Sequence, residues 1–237
     1  MNQKKLLAMV LALGLCAALP GCTPPRESDA IFAEKPVIYL YPEAKNDVPC
    51  DEKPVEYLYP TEPTEVTVQL AYSGTLTCTY PAYDDGWRVL AQPDGTLTDA
   101  SGQTYRYLYW EGAGDTAYDL TEGFCVAGAD TAAFLEDALA QLGLNRAEAN
   151  EFIVYWLPRM QENAYNLISF QQQAYTERAK LYISPQPDTL IRVFMAYAPL
   201  QAPVEIAPQA LIAPAREGFV VVEWGGAETT YSESEGT

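Results

Sequence analysis

The chain has 237 residues, with 14 basic side chains against 32 acidic ones, a formal net charge of -18 and no histidine. Without histidine there is no Ser-His-Asp or Cys-His relay, no His-ligated zinc and no imidazole switch. The acidity excludes a nucleic-acid binder, which needs a basic patch to displace counterions from phosphates; a hydrophobic content of 49% fits a globular chain rather than a disordered one.

The first residues carry an address. Lys4 and Lys5 precede an unbroken run of 13 apolar or small residues, Leu6 to Ala18. That run is too short to span a bilayer but matches the apolar region of a secretory signal. Leu19-Pro20-Gly21-Cys22 resembles the lipobox of bacterial lipoproteins, in which the Cys thiol receives a diacylglycerol and becomes the new N-terminus. Pro20 departs from the small residue usual there. The reading is a signal peptide over 1–21, Cys22 as the lipidated (palmitate-bearing) residue, and an exported protein anchored to the outer face of a bacterial membrane. Two or more acyl chains make such an anchor stable, at about 0.8 kcal/mol per buried methylene. Cleavage removes two lysines and no acid, taking the net charge from -18 to -20, which favours cationic partners. Residues 22–34, with Pro24, Pro25 and Ser28, read as a tether.

A tandem repeat follows. Lys35-Pro-Val-Ile-Tyr-Leu-Tyr-Pro42 recurs as Lys53-Pro-Val-Glu-Tyr-Leu-Tyr-Pro60, 18 residues on. Two units are too few for a solenoid, so only one copy fills the strand position and 35–52 is a duplicated segment. The first copy has two apolar faces, as a buried strand does. The second has Glu56 in place of Ile38, which suits a half-exposed strand running on into Thr64–Leu70. The second copy is preferred in the fold; a displaced copy would be free to pair with a sheet edge.

From Glu65 to Trp110 the pattern is that of an antiparallel meander. Short alternating runs (Val66 to Leu70, Thr75–Tyr80, Trp87–Ala91, Thr96–Thr98, Tyr105–Trp110) are separated by turn signals at Ser73-Gly74, Pro93-Asp-Gly95 and Ala100-Ser-Gly102. The period then changes. Asp130 is placed to cap a helix carrying Phe134, Leu135, Ala138, Leu139 and Leu142, which Gly143 stops. Asn145 with Glu148 makes a capping box for a second helix burying Phe152, Ile153, Trp156 and Leu157, which Pro158 kinks or restarts. Strand patterns resume at Asn166–Phe170, Ala179–Ile183, Leu190–Ala196 and Phe219–Trp224, with Pro185-Gln-Pro187 turning the middle two into a hairpin. Pro199 to Pro214 is a surface connection, and 227–237 an acidic, disordered tail. The fold class is α+β: an antiparallel β-rich N-terminal half, a central helical pair, then further antiparallel strands, in one domain over 35–226.

Cys78 and Cys125 lie in apolar, core-like segments and are the expected disulfide in an exported protein. Cys50 sits beside Asp51 and Glu52, the wrong charge for a reactive thiolate.

The repeat segment, Leu76-Thr-Cys-Thr-Tyr-Pro81, Tyr107-Leu-Tyr-Trp-Glu-Gly112, Glu148–Pro158 and Val222-Glu-Trp-Gly-Gly226 together resemble an uncharacterised family of exported bacterial proteins, many of them lipoproteins of clostridia-like gut bacteria. The likeness covers roughly 35–226. It implies no activity, cofactor or catalytic residue.

Chemistry has few places to sit. Tyr107, Tyr109 and Trp110 beside Glu111, and Trp224 beside Glu223, place aromatic faces next to carboxylates, the construction of a glycan site. The plainer account is that Tyr and Trp suit strands and each Glu is solvated at an edge. Glu111 and Glu223 would make a glycosidase pair if their strand ends met, with Asp115, Asp119 and Glu151 as substitutes. Asp84, Asp85, Asp94 and Asp99 offer oxygen ligands for calcium, but no EF-hand spacing accompanies them and Asp-Gly is first a turn signal. Nucleotide, zinc and Cys-x-x-Cys motifs are absent, so no cofactor or metal is expected. The functional expectation is a lipid-anchored module binding envelope or environmental glycan or peptide; the alternatives are a carboxylate-dependent glycan hydrolase and a protein-assembly module.

Overall fold

Thr64–Tyr72 alternates apolar with polar residues while Tyr165–Gln171 and Val220–Glu228 are buried almost throughout, and a period of two decides which sheet face each side chain serves. The computed structural model describes residues 50–114, 118–171 and 173–231. Cys22, the tether, the first repeat copy, Asp115 and the end of the tail lie outside the described residues.

Among the described residues, thirteen strands are arranged in two sheets. They are β1 (Cys50–Tyr59), β2 (Thr64–Tyr72), β3 (Thr75–Tyr80), β4 (Trp87–Ala91), β5 (Leu97–Thr98), β6 (Thr104–Tyr105), β7 (Leu108–Ala113), β8 (Glu122–Ala127), β9 (Tyr165–Gln171), β10 (Ala179–Ser184), β11 (Thr189–Leu200), β12 (Ala207–Pro208) and β13 (Val220–Glu228). The larger sheet has the order β12-β8-β9-β11-β13-β1-β7-β3 and the smaller β10-β2-β4-β5-β6. Helices α1 (Thr131–Gln141) and α2 (Arg146–Met160) stand together between β8 and β9, and a short α3 (Gln173–Arg178) precedes β10. The strand-rich α+β expectation and the central helical pair match this architecture.

Two cores result. One packs α1 and α2 (Leu135, Leu139, Phe152, Trp156) on Val55, Tyr57, Val193, Val222 and Trp224 of the larger sheet. The other packs the smaller sheet (Val66, Val68, Trp87, Val89) on Leu58, Leu108, Trp110, Phe194 and Val221 of the opposite face. A central strand buried on both sides needs two apolar faces, which β1 has from Val55 to Tyr59 except at Glu56.

Several details differ from the sequence reading. Asp130 makes no side-chain cap; a 3-10 turn over Gly128–Asp130 leads directly into α1. Asn145 and Glu148 do form the capping box of α2, and Pro158 sits in the last turn of one uninterrupted helix, at the cost of the N–H bond to the Val154 carbonyl. The run Tyr105–Trp110 is split: Thr104–Tyr105 closes the small sheet and Leu108 onward joins the large one. Pro185–Pro187 joins no hairpin, because β10 pairs with β2 while β11 pairs with β9 and β13. The β11–β13 pair is parallel, which the long connection from Pro199 to Pro214 permits, since parallel neighbours require a crossover.

Candidate functional site

Register across four central strands sets the first arrangement. Arg192 of β11 is paired with Glu223 of β13, Glu223 with Glu56 of β1, and Glu56 with Leu108 of β7. Directly paired residues project to the same face, so an arginine and two glutamates lie in one row beneath the small sheet. Glu56 and Glu223 are both fully buried. The Arg192 Nε–H donates to Glu223 Oε2 in a short ion pair. Both Glu56 oxygens, Glu223 Oε1, Arg192 Nη2, the Tyr175 hydroxyl and the Trp110 indole N–H have no hydrogen-bond partner in the structure. Tyr175 reaches in from α3: its ring stacks on Phe194 at 4.2 Å and lies 4.8 Å from the Arg192 guanidinium carbon.

These surroundings act on protonation. Burial, followed by the Glu223 charge, holds the Glu56 carboxyl well above the ordinary carboxylate range, while Arg192 and the nearby Trp110 indole oppose the shift. Burial and then Glu223 push the Tyr175 phenol up. For Arg192, burial alone would lower the value, but Glu223 and Tyr175 more than offset it.

The second arrangement is on the opposite face, beside the helical pair. Tyr57 and Tyr59 of β1 stack at 6.1 Å, and Tyr57 meets the edge of Tyr107 at 5.4 Å. Tyr80 of β3 is paired with Tyr109 of β7, and Cys78 with Glu111. At the sheet edge Tyr80 is 60% exposed, its ring edge-on to Tyr105 of the smaller sheet at 5.5 Å, and Cys78 is exposed. Carboxylates stand among the rings. The Tyr109 hydroxyl donates a short bond to Glu111, and the Tyr57 hydroxyl donates to Glu151 of α2 at 2.5 Å. Burial, then Glu151, raises Tyr57 far above an ordinary phenol; burial, then Glu111, does the same to Tyr109. Arg159 covers the Tyr155 ring at 3.9 Å. At the start of α2, Glu148 accepts from Asn145 N and Nδ2 (2.7 and 2.8 Å) and takes both Nη groups of Arg216 at 2.9 Å.

The residues singled out from sequence are distributed differently from expectation. Glu111 and Glu223 do not meet. Glu111 shares a face with Tyr107 and Tyr109, and Glu223 lies with Glu56 under the small sheet, so the sheet itself separates them. Trp110 and Trp224 are 0% and 3% exposed and belong to opposite cores, which leaves neither a face for a ligand. Tyr107 and Tyr109 keep part of theirs.

Cys78 and Cys125 are both free, and Cys78 is not core-facing. β8 is second and β3 last in the eight-strand order, about 29 Å apart at ~4.8 Å per strand, whereas a disulfide needs Cα atoms within ~7 Å. Glu111 and burial also keep the Cys78 thiol above its usual range, burial more.

Asp119 is a turn anchor, accepting from Thr121 N and Oγ1, and Glu151 is engaged by Tyr57. Asp94 and Asp99 likewise hold their own turns. Hydrogen bonds from Ser101 and then Tyr105 bring Asp99 down to about 2. Among the described residues no group of three or more His, Cys, Asp or Glu side chains is placed to hold a metal ion. Two open clefts of about 360 and 390 Å³ lie elsewhere, one beside Asp119, Gln171 and Gln209 and one along β10. The amides of the first are already used, Gln171 on the Asp119 backbone and Gln209 on that of Phe170.

Sequence reasoning missed Glu56 as a buried acid, together with Arg192, Tyr175 and Tyr80. The signal for Glu56 was the repeat, where the other copy has Ile38.

Fold and side-chain placement define a strand-rich α+β protein with a helical layer on one face of its larger sheet and a second sheet on the other. The chain belongs to the same family as a protein of Butyrivibrio fibrisolvens described as "Uncharacterized protein in bglA 3'region", to which it is 37% identical over 114 residues. The match covers 47% of this chain and 99% of that relative. No protein-family model matches the chain, and no solved structure matches it.

Proposed function

We propose that the chain is an exported, Cys22-lipidated binding module that takes glycan on the tyrosine strip of β1, β7 and β3. One observation carries this reading: Tyr80, Tyr107 and Tyr109, each at least partly exposed, lie with Glu111 at the β7–β3 edge of the larger sheet. Sugar rings stack their C–H faces on aromatic rings, and neighbouring carboxylates accept from the hydroxyls. The lipobox-like Leu19–Cys22 supports a surface location in which such a strip meets envelope or environmental polymers.

The test incubates the purified chain with cell-wall sacculi and a panel of insoluble glycans, then measures protein in the pellet and released sugar in the supernatant. Retention that Tyr80→Ala weakens at least fivefold, with the melting temperature unchanged, supports the reading. Retention indifferent to Tyr80→Ala and Glu111→Gln, or capture by peptides alone, sinks it. Lipidation is checked separately by mass spectrometry of the mature N-terminus, and an unmodified Cys22 would remove the anchor.

A further inference from the structure

Two carboxylates and a single arginine occupy one buried row, and that imbalance has a chemical consequence. Glu56 and Glu223 are register partners on adjacent strands, both at 0% exposure. Glu223 is neutralised by the Arg192 Nε–H, while both Glu56 oxygens remain without a partner. The groups facing the pair come from every neighbouring element: Glu223 on β13, Arg192 on β11, Tyr175 on α3 and Trp110 on β7. The small sheet adds Val66, Val68, Leu70, Trp87 and Val89 to this core, with the phenols of Tyr72 and Tyr105 packed against it. Two ionised carboxylates this close in a low-dielectric interior cannot both persist against one cation.

We infer that Glu56 and Glu223 form a proton-sharing carboxyl pair, a buried site that binds one proton at neutral pH. Arg192 balances the one negative charge that remains. Glu56, which has no ion-pair partner, carries the proton as a neutral acid. The Glu56 proton is held more tightly folded than unfolded, so its contribution to stability is complete below the ordinary glutamate range. It is lost progressively as pH rises through the elevated folded value. Alkaline conditions therefore loosen β1, the strand that also supports Tyr57 and Tyr59 on its other face.

The chain's own sequence supplies a comparison, since the first repeat has Ile38 where the second has Glu56. An apolar residue therefore suits the strand pattern, and the acid is an addition to it.

The test uses the purified full chain. Infrared spectra at pH 7 are expected to contain a protonated-carboxylic-acid carbonyl band that shifts on 13C-glutamate labelling and is absent in Glu56→Gln. Unfolding wild type at pH 7 is expected to release one proton more than unfolding Glu56→Gln, as read from calorimetry in buffers of different ionisation enthalpy. Glu56→Ile serves as a second variant with the same expectation. The labelled wild-type band stands as a test even where neither variant folds. Absence of that band at pH 7, or equal proton release by wild type and a folded variant, overturns the inference.

Discussion

Replacing Arg216 with alanine isolates a contact that joins the long connection before β13 to the start of α2. Glu148 is fully buried and sits at the third helical position, where it closes the capping box and receives two Arg216 bonds of 2.9 Å. The guanidinium also donates to Gly143 O at 3.0 Å and lies 5.5 Å from the Tyr59 ring centre. Removing one member of a buried pair typically costs about 3–5 kcal/mol. Here Glu148 keeps its two bonds from Asn145 and the favourable helix N-terminus, and the Arg216 side chain is 29% exposed. Both reduce the penalty, to about 2 kcal/mol. In a chain of this size that lowers the melting temperature by about 4–8 °C. The assay is urea or thermal unfolding of wild type, Arg216→Ala, Glu148→Gln and the double variant. The cycle is expected to give a coupling of about 1 kcal/mol or more between the two sites. Additive losses, or an Arg216→Ala cost below about 0.5 kcal/mol, would refute the argument that this pair holds the connection to the helix.

Two further outcomes follow from close packing and from thiol placement. A Cβ at Gly226 would lie 2.6 Å from the Met195 carbonyl oxygen and 2.8 Å from Trp156 Cζ2. Since a backbone carbonyl in a paired strand cannot yield, Gly226→Ala is expected to cost about 1–3 kcal/mol; a melting curve matching wild type would contradict this packing. Under native, non-reducing conditions Cys78 is expected to alkylate well before the half-buried Cys125, whose sulfur accepts from Val204 N. A Cys78–Cys125 cross-linked peptide in the digest would overturn the strand order on which the separation rests.

Local chemistry alone was enough to place most elements of this protein. The period of two in Val66, Val68 and Leu70, the left-handed glycines Gly95 and Gly102 in their turns and the Asn145–Glu148 capping box each depend on neighbours within a few residues. They read correctly because strand alternation, turn geometry and capping are short-range effects. Strand order and facing are not local. Glu111 and Glu223 each adjoin a tryptophan in sequence, yet strand parity places them on opposite sides of a sheet. Cys78 and Cys125 were plausible partners until the sheet put six strand spacings between them. Glu56 passed for a solvated acid because only the smaller sheet, folded over β1, removes it from water. Those outcomes come from which strands become neighbours, and the chain settles that by burying two apolar faces of one central sheet at once.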